Sequence, residues 1–253
     1  MKGMAKEKLN ASLATSQAVL TIFSVIVVKS FWGYNNITES FAWYCTYHRE
    51  PWNQFIHFFG VPGILWSVFI WAVHVPLPYL PSSSLIALPG PKMNHLNFGL
   101  VATLIYGISY LLLDPLGGIL YAPFLYGMYI SAVALRDLDQ ERATILLKKT
   151  DQYAVSSVGW AGTGKLLQLA FFIHCFSWYV QIHPGHLIIE GAKPALMDSL
   201  GDALSAAPLF AYHEFIFLVG FRKSLEEDIL ARVAAITTHL CAAGSTMRAC
   251  ANL

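Results

Sequence analysis

The sequence predicts an all-α, polytopic membrane helix bundle with about four to six transmembrane helices, and three observations carry that prediction. Of the 253 residues, 56% are hydrophobic and only 12% are charged, against about 45–50% and about 25% in soluble domains; mean hydropathy is +0.52. Apolar runs approaching the roughly 20 residues that cross a bilayer recur along the chain. At this size, only helices satisfy every backbone N–H and C=O in lipid. The net charge of +1 leaves no basic footprint for nucleic acid, so the expected surroundings are a lipid bilayer and no nucleic-acid partner.

The first apolar run, "ASLATSQAVLTIFSVIVVKSFW" (11–32), is diluted by Ser, Thr and Gln and is borderline for spanning. The second, "FIHFFGVPGILWSVFIWAVHV" (55–75), is long enough to cross. The third, residues 97–135, is too long for one crossing and breaks at "DPLGG" (114–118), where Asp, Pro and two glycines favour a tight turn between two helices. The fourth, "KLLQLAFFIHCFSWYVQI" (165–182), runs into "QIHPGHLIIEGAKPAL" (181–196). The fifth, "ALSAAPLFAYHEFIFLVGF" (203–221), precedes a charged tail expected at the surface. Between them, "HVPLPYLPSSSLIALPGPK" (74–92) reads as an irregular loop, and the charged stretch 136–152 is expected in water. Domain organisation follows: an N-terminal segment with a borderline membrane helix (1–39), a membrane domain (40–225) and a C-terminal tail (226–253). The four cysteines are scattered with no CxxC pair, so neither a disulfide framework nor a zinc knuckle is expected.

Histidines mark the candidate chemistry. In "YHREPWNQFIH" (47–57), His48 precedes Pro51, a residue suited to the first turn of a helix. His57 lies about two turns into that helix, with Asn53 on its face. In the second cluster, Pro184 and Gly185 end an apolar run, so His183 and His186 sit at its mouth; Glu190 is expected one turn beyond His186 on the same face. Crossing parity tests whether the clusters meet. The second run crosses, the two halves of 97–135 cross and recross, and the fourth run adds one more. An even number returns residues 183–190 to the side of His48 and His57, whether or not 11–32 spans. Convergent imidazoles suit iron, zinc, copper or nickel, and spacing alone does not choose among them. Nothing converges on His74, His95, His174 or His239, which read as structural. His213 and Glu214, an ionisable pair within an apolar run, admit both a functional and a structural reading. "GWAGTGK" (159–165) imitates a phosphate-binding loop, but Leu166 replaces the required Ser/Thr and no strand precedes it.

These motifs resemble a known family. "YHREPWNQFIHFFGVP" (47–62) is similar to the Y-H-x4-N-x2-I-H-x2-G-V-P signature of the membrane 2-hydroxy fatty acid dioxygenases, a fungal-type α-oxidation family formerly known as a domain of unknown function. "WYVQIHPGHLIIEGAKPAL" (178–196) resembles its second block, with Pro208 and Glu214 as the continuation. The likeness covers roughly residues 40–225. The spacing between Gln and Gly-His varies in that family and is filled here by "IHP", so the carry-over reaches His48, His57 and His186 more directly than His183.

The resemblance implies an Fe(II)-dependent, O2-consuming enzyme of the endoplasmic reticulum membrane. It would shorten a long-chain 2-hydroxy fatty acid by one carbon, as in phytosphingosine breakdown, without 2-oxoglutarate. On that basis His48, His57, His183 and His186 are the expected metal ligands, with His48, His57, His186 and Glu190 carrying catalysis. Asn53, Gln181 and Glu214 are expected to orient ligand rings or meet substrate. The substrate's carboxylate and 2-hydroxyl would chelate the iron, with the acyl tail among the aromatic-rich spans. Two rivals stand beside this reading. A di-iron hydroxylase would need HxxHH boxes that the chain lacks. A non-catalytic lipid-binding or transport protein would use the histidines as interhelical glue. Orientation depends on 11–32: if it crosses, the basic clusters share the cytosolic side and the site faces the lumen.

Overall fold

The computed structural model describes residues 2–31, 36–77, 96–150, 162–194 and 200–242. Within these the chain is helical, and an isolated antiparallel bridge between Pro76 and Asn97 is its only β pairing. The helices are α1 (Lys2–Phe31), α2 (Ile37–Cys45), α3 (Pro51–His74), α4 (Phe98–Leu113), α5 (Pro115–Thr150) and α6 (Lys165–Val180). A π-helical segment (Gln181–Glu190) follows, then α7 (Leu200–Ser205), α8 (Ala207–Leu218) and α9 (Lys223–Ala242).

Among the described residues, three helices are long and apolar enough to cross a membrane: Asn10–Phe31, Pro51–His74 and Pro115–Lys148. The first includes the borderline run, whose Ser and Thr hydroxyls are absorbed by bonds to carbonyls four residues back, such as Thr21 Oγ1 to Gln17 O at 2.8 Å. Phe98–Leu113 and Ala207–Leu218 are shorter apolar helices. The expected break at 114–118 is a single residue, Asp114, because Pro115 starts the next helix where no N–H is needed. Residues 78–95, which hold most of the Pro/Ser-rich loop and His95, lie outside the described residues.

The described chain forms two compact units. One comprises residues 1–25, 65–106 and 122–174. Its core includes Ala72, Val75 and Phe98, with Leu13, Leu20 and Leu77 packed on them. The charged stretch expected in water contributes here: Arg136 is buried and donates from Nη1 to Val73 O at 3.0 Å, near the end of α3, where carbonyls lack intrahelical donors. Asp139, also buried, accepts from Thr163 N at 2.9 Å. That bond holds the turn before α6, in which Gly162 and Gly164 adopt left-handed φ. The look-alike phosphate loop is thus a helix entry over its described residues.

The other unit comprises residues 26–64, 107–121 and 175–253. It receives the start of α3, the end of α4, the start of α5 and the end of α6. Aromatic stacking builds its core. Phe41 of α2 lies flat on Phe210 of α8, with ring centroids 4.7 Å apart at 8°, and beside Phe217 at 5.7 Å. α9 packs along α2 and buries Ile229 and Thr237 on its inner side, while most of its other side chains stay exposed. All residues of the candidate site belong to this unit.

Candidate metal centre

Three histidines converge. One ring nitrogen each of His48, His57 and His186 lies within 4.8 Å of the others, and all three residues are buried. The rings stand nearly perpendicular in pairs: His48–His57 4.5 Å at 76°, His48–His186 4.8 Å at 69°, His57–His186 5.0 Å at 82°. Such a set points nitrogens inward without stacking ring on ring.

Local structure fixes each ring. His48 follows α2 and its Nδ1 lies 2.9 Å from Tyr44 O. A carbonyl only accepts, so Nδ1 carries the hydrogen and the Nε2 lone pair is left for another partner. His57, in the second turn of α3, repeats the device with Asn53 O at 2.9 Å. Tyr44 also stacks under His48 at 3.9 Å and 16°, which sets the ring plane. His186 is held by the π-helical segment, and its Nδ1 is buried without a hydrogen-bond partner, an orphan nitrogen that a bound cation would satisfy. Burial first, then the neighbouring imidazoles His57 and His186, push His48 well below the usual histidine range. Burial, then His57, pushes His186 down to about 3. Both rings are therefore neutral at physiological pH, the state in which imidazole ligates metal.

Pro184, which supplies no N–H, lies inside the π-helical segment. The wider i→i+5 winding changes which residues share a face. His183, expected among the ligands, is exposed and stacks on Tyr179 at 5.5 Å and 7°. A step of three residues falls well short of one turn here, so His183 and His186 face different ways, and His183 is outside the cluster.

Glu190 is buried, but its oxygens are occupied. They accept from Arg49 N (3.1 and 3.2 Å), Glu50 N (3.1 Å) and Asn53 Nδ2 (3.0 Å). These backbone donors sit at the N-terminus of α3, where N–H groups lack intrahelical acceptors. Glu190 thus ties the π-helical segment to the helix that carries His57. Gln181 is buried, donates to Ser177 O at 2.9 Å, and lies against Gly60. Gly60 and Gly185 let α3 and the segment approach: a Cβ on Gly185 would meet Asn53 Oδ1 at 2.6 Å.

His213 and Glu214 part company. His213 Nε2 lies 2.8 Å from Asp114 Oδ2, in a cluster completed by Arg222, whereas both Glu214 oxygens are buried without a hydrogen bond. His74 donates to Ile70 O at 2.7 Å, His174 meets Ser67 Oγ at 2.9 Å, and His239 is exposed; none joins a ligand group. The sequence reading missed Tyr44 beneath His48, although the i, i+4 spacing signalled it.

Comparison with known proteins agrees with the motifs. The family model described as "2-hydroxy-palmitic acid dioxygenase Mpo1-like" matches residues 34–219. The 2-hydroxy-palmitic acid dioxygenase MPO1 of Saccharomyces cerevisiae is 27% identical over 203 residues, covering 78% of this chain and 91% of that protein. No solved structure matches.

Proposed function

Because the chain belongs to the Mpo1-like family, we propose that it is an iron(II)-dependent dioxygenase of the endoplasmic reticulum membrane, which shortens long-chain 2-hydroxy fatty acids by one carbon. The observation that carries the reading is the buried His48–His57–His186 cluster. Its donor set fits such an ion: imidazoles with two Nδ1–H groups spent on backbone carbonyls and one orphan nitrogen suit iron(II), zinc or copper, and oxygen chemistry selects a redox-active metal. When bound, iron(II) supplies the one-electron reactivity toward O2 that the side chains lack.

The remaining work belongs to the chain. Carbonyls of Tyr44 and Asn53 fix the tautomers and ring planes of His48 and His57. Glu190 and Asn53 hold the two ligand-bearing segments together. Burial of all three rings excludes water from the reacting centre. Outside it, Trp52, Phe55 and Phe59 stand exposed on α3 and offer the acyl tail an apolar face, worth about 0.8 kcal/mol per methylene withdrawn from water.

The test is purification in nanodiscs, iron quantification, and oxygen uptake with 2-hydroxypalmitate against palmitate. About one iron per chain and uptake only with the hydroxy acid are expected. His57→Ala should lose iron and turnover together while the protein stays inserted. Wild-type protein that binds no iron and consumes no oxygen would exclude the reading.

A further inference from the structure

Two buried polar groups beside the imidazoles have no hydrogen-bond partner. Both oxygens of Glu214 in α8 are sealed from solvent and unbonded, and so is the Tyr44 hydroxyl. A buried carboxyl group with neither oxygen hydrogen-bonded is costly even when neutral, and packing does not explain retaining one. Tyr44 lies at the site, and Phe210 links Glu214 to it. Tyr44 stacks on His48 at 3.9 Å and packs against Phe210 at 5.4 Å. Glu214 is one turn beyond Phe210 on the same face of α8. The next residue, Phe215, stacks at 5.1 Å on Phe58, the neighbour of His57.

The two orphans are complementary. The carbonyl oxygen of a carboxyl group accepts a hydrogen bond and a phenol can donate one, yet they are not bonded to each other. A group that donates to one and accepts from the other would satisfy both, and the smallest organic group that does so is an alcohol. We propose that Glu214 and Tyr44 together receive the 2-hydroxyl of the substrate, Glu214 accepting its hydrogen bond and Tyr44 donating to its oxygen. They are then the residues that select a 2-hydroxy acid. This assignment rests on the dioxygenase reading above. An unhydroxylated acid of equal length would leave both groups buried and unpaired, and sites built to bond a substrate hydroxyl reject analogues lacking it by large factors.

The experiment measures affinity of the nanodisc-embedded, iron-loaded protein for 2-hydroxypalmitate and palmitate without oxygen, together with iron content and thermal midpoint. Wild type is expected to prefer the hydroxy acid by about 100-fold or more. In Glu214→Leu the preference should fall below about 10-fold with iron retained, and the thermal midpoint should rise because a buried, unsatisfied polar group has gone. A merely structural Glu214 would not give that rise. Tyr44→Phe, which keeps the ring under His48, should lower the preference by about 10-fold on its own. Unchanged preference in both variants overturns the proposal, as a resident water bridging the pair would produce. Loss of iron in Glu214→Leu also overturns it, making Glu214 a ligand. Wild type that binds neither acid fails the dioxygenase reading itself; wild type that binds both equally fails this assignment alone.

Discussion

Asn53 Nδ2 donates to Glu190 Oε2 across 3.0 Å, joining residues 137 positions apart. The same oxygen takes Glu50 N, and its twin takes Arg49 N. Glu190 therefore behaves as an N-terminal cap supplied from a distant segment: it satisfies backbone donors at the start of α3 and sits at the positive end of that helix's dipole. His48 precedes these amides and His57 follows them, so one carboxylate holds the spacing of the whole cluster.

Glu190→Ala should accordingly act on architecture before chemistry. It removes the acceptor from two part-buried backbone N–H groups and leaves the buried Asn53 amide without one, a loss of about 1–3 kcal/mol. We expect a lower thermal midpoint and weakened iron retention together. Glu190→Gln should recover part of both, since one amide oxygen still accepts. Iron content and unfolding followed on the same samples check this; a Glu190→Ala protein with unchanged midpoint and no turnover would instead mark a direct chemical role.

The glycines at the same contact give a steric version of that test. In Gly185→Ala the new Cβ would meet Asn53 Oδ1 at 2.6 Å and Val180 O at 3.3 Å. Asn53 cannot retreat without leaving Glu190, so the expected cost is about 1–3 kcal/mol. Gly127→Ala, where a Cβ meets nothing within 4 Å, should be nearly neutral and serves as the control. Equal midpoints for the two variants would show that the close approach is not needed.

Much of this was legible in the sequence, for physical reasons. Apolar runs must become helices in lipid, a break falls at Asp114 within the expected turn, and His186 meets His48 and His57 as expected. What failed was face assignment in "QIHPGHLIIE". The π winding turns His183 outward, away from His186, while Glu190, about one turn beyond His186, is buried and meets the amides of α3. His213 and Glu214, adjacent in sequence, looked like one pair; neighbours on a helix point about 100° apart, and only His213 joins the Asp114 cluster. Asp114, 99 residues from His213 and 108 from Arg222, left no local signal at all.

That last cluster predicts an acid dependence. Asp114 links α4 to α5, is buried, lies 2.8 Å from His213 Nε2, and takes hydrogen bonds from Arg222 through Nη1 and, at 3.1 Å, Nη2. Burial alone would raise its carboxyl, but the contacts with His213 and Arg222 outweigh that and hold it well below the usual carboxylate range. A carboxyl depressed in the folded state stabilises fully above its unfolded value, about 3.9, and loses that contribution as acid protonates it. The thermal midpoint should therefore stay level, so far as Asp114 contributes, from pH 7 to about 5 and fall increasingly below about pH 4. Asp114→Asn should be less stable at pH 7 by about 3 kcal/mol, because Arg222 is left without its charge partner, and its midpoint should depend less steeply on pH in the acid limb. Midpoints by circular dichroism across that range decide the matter: parallel acid limbs for the two proteins would mean that the cluster contributes no proton-linked stability.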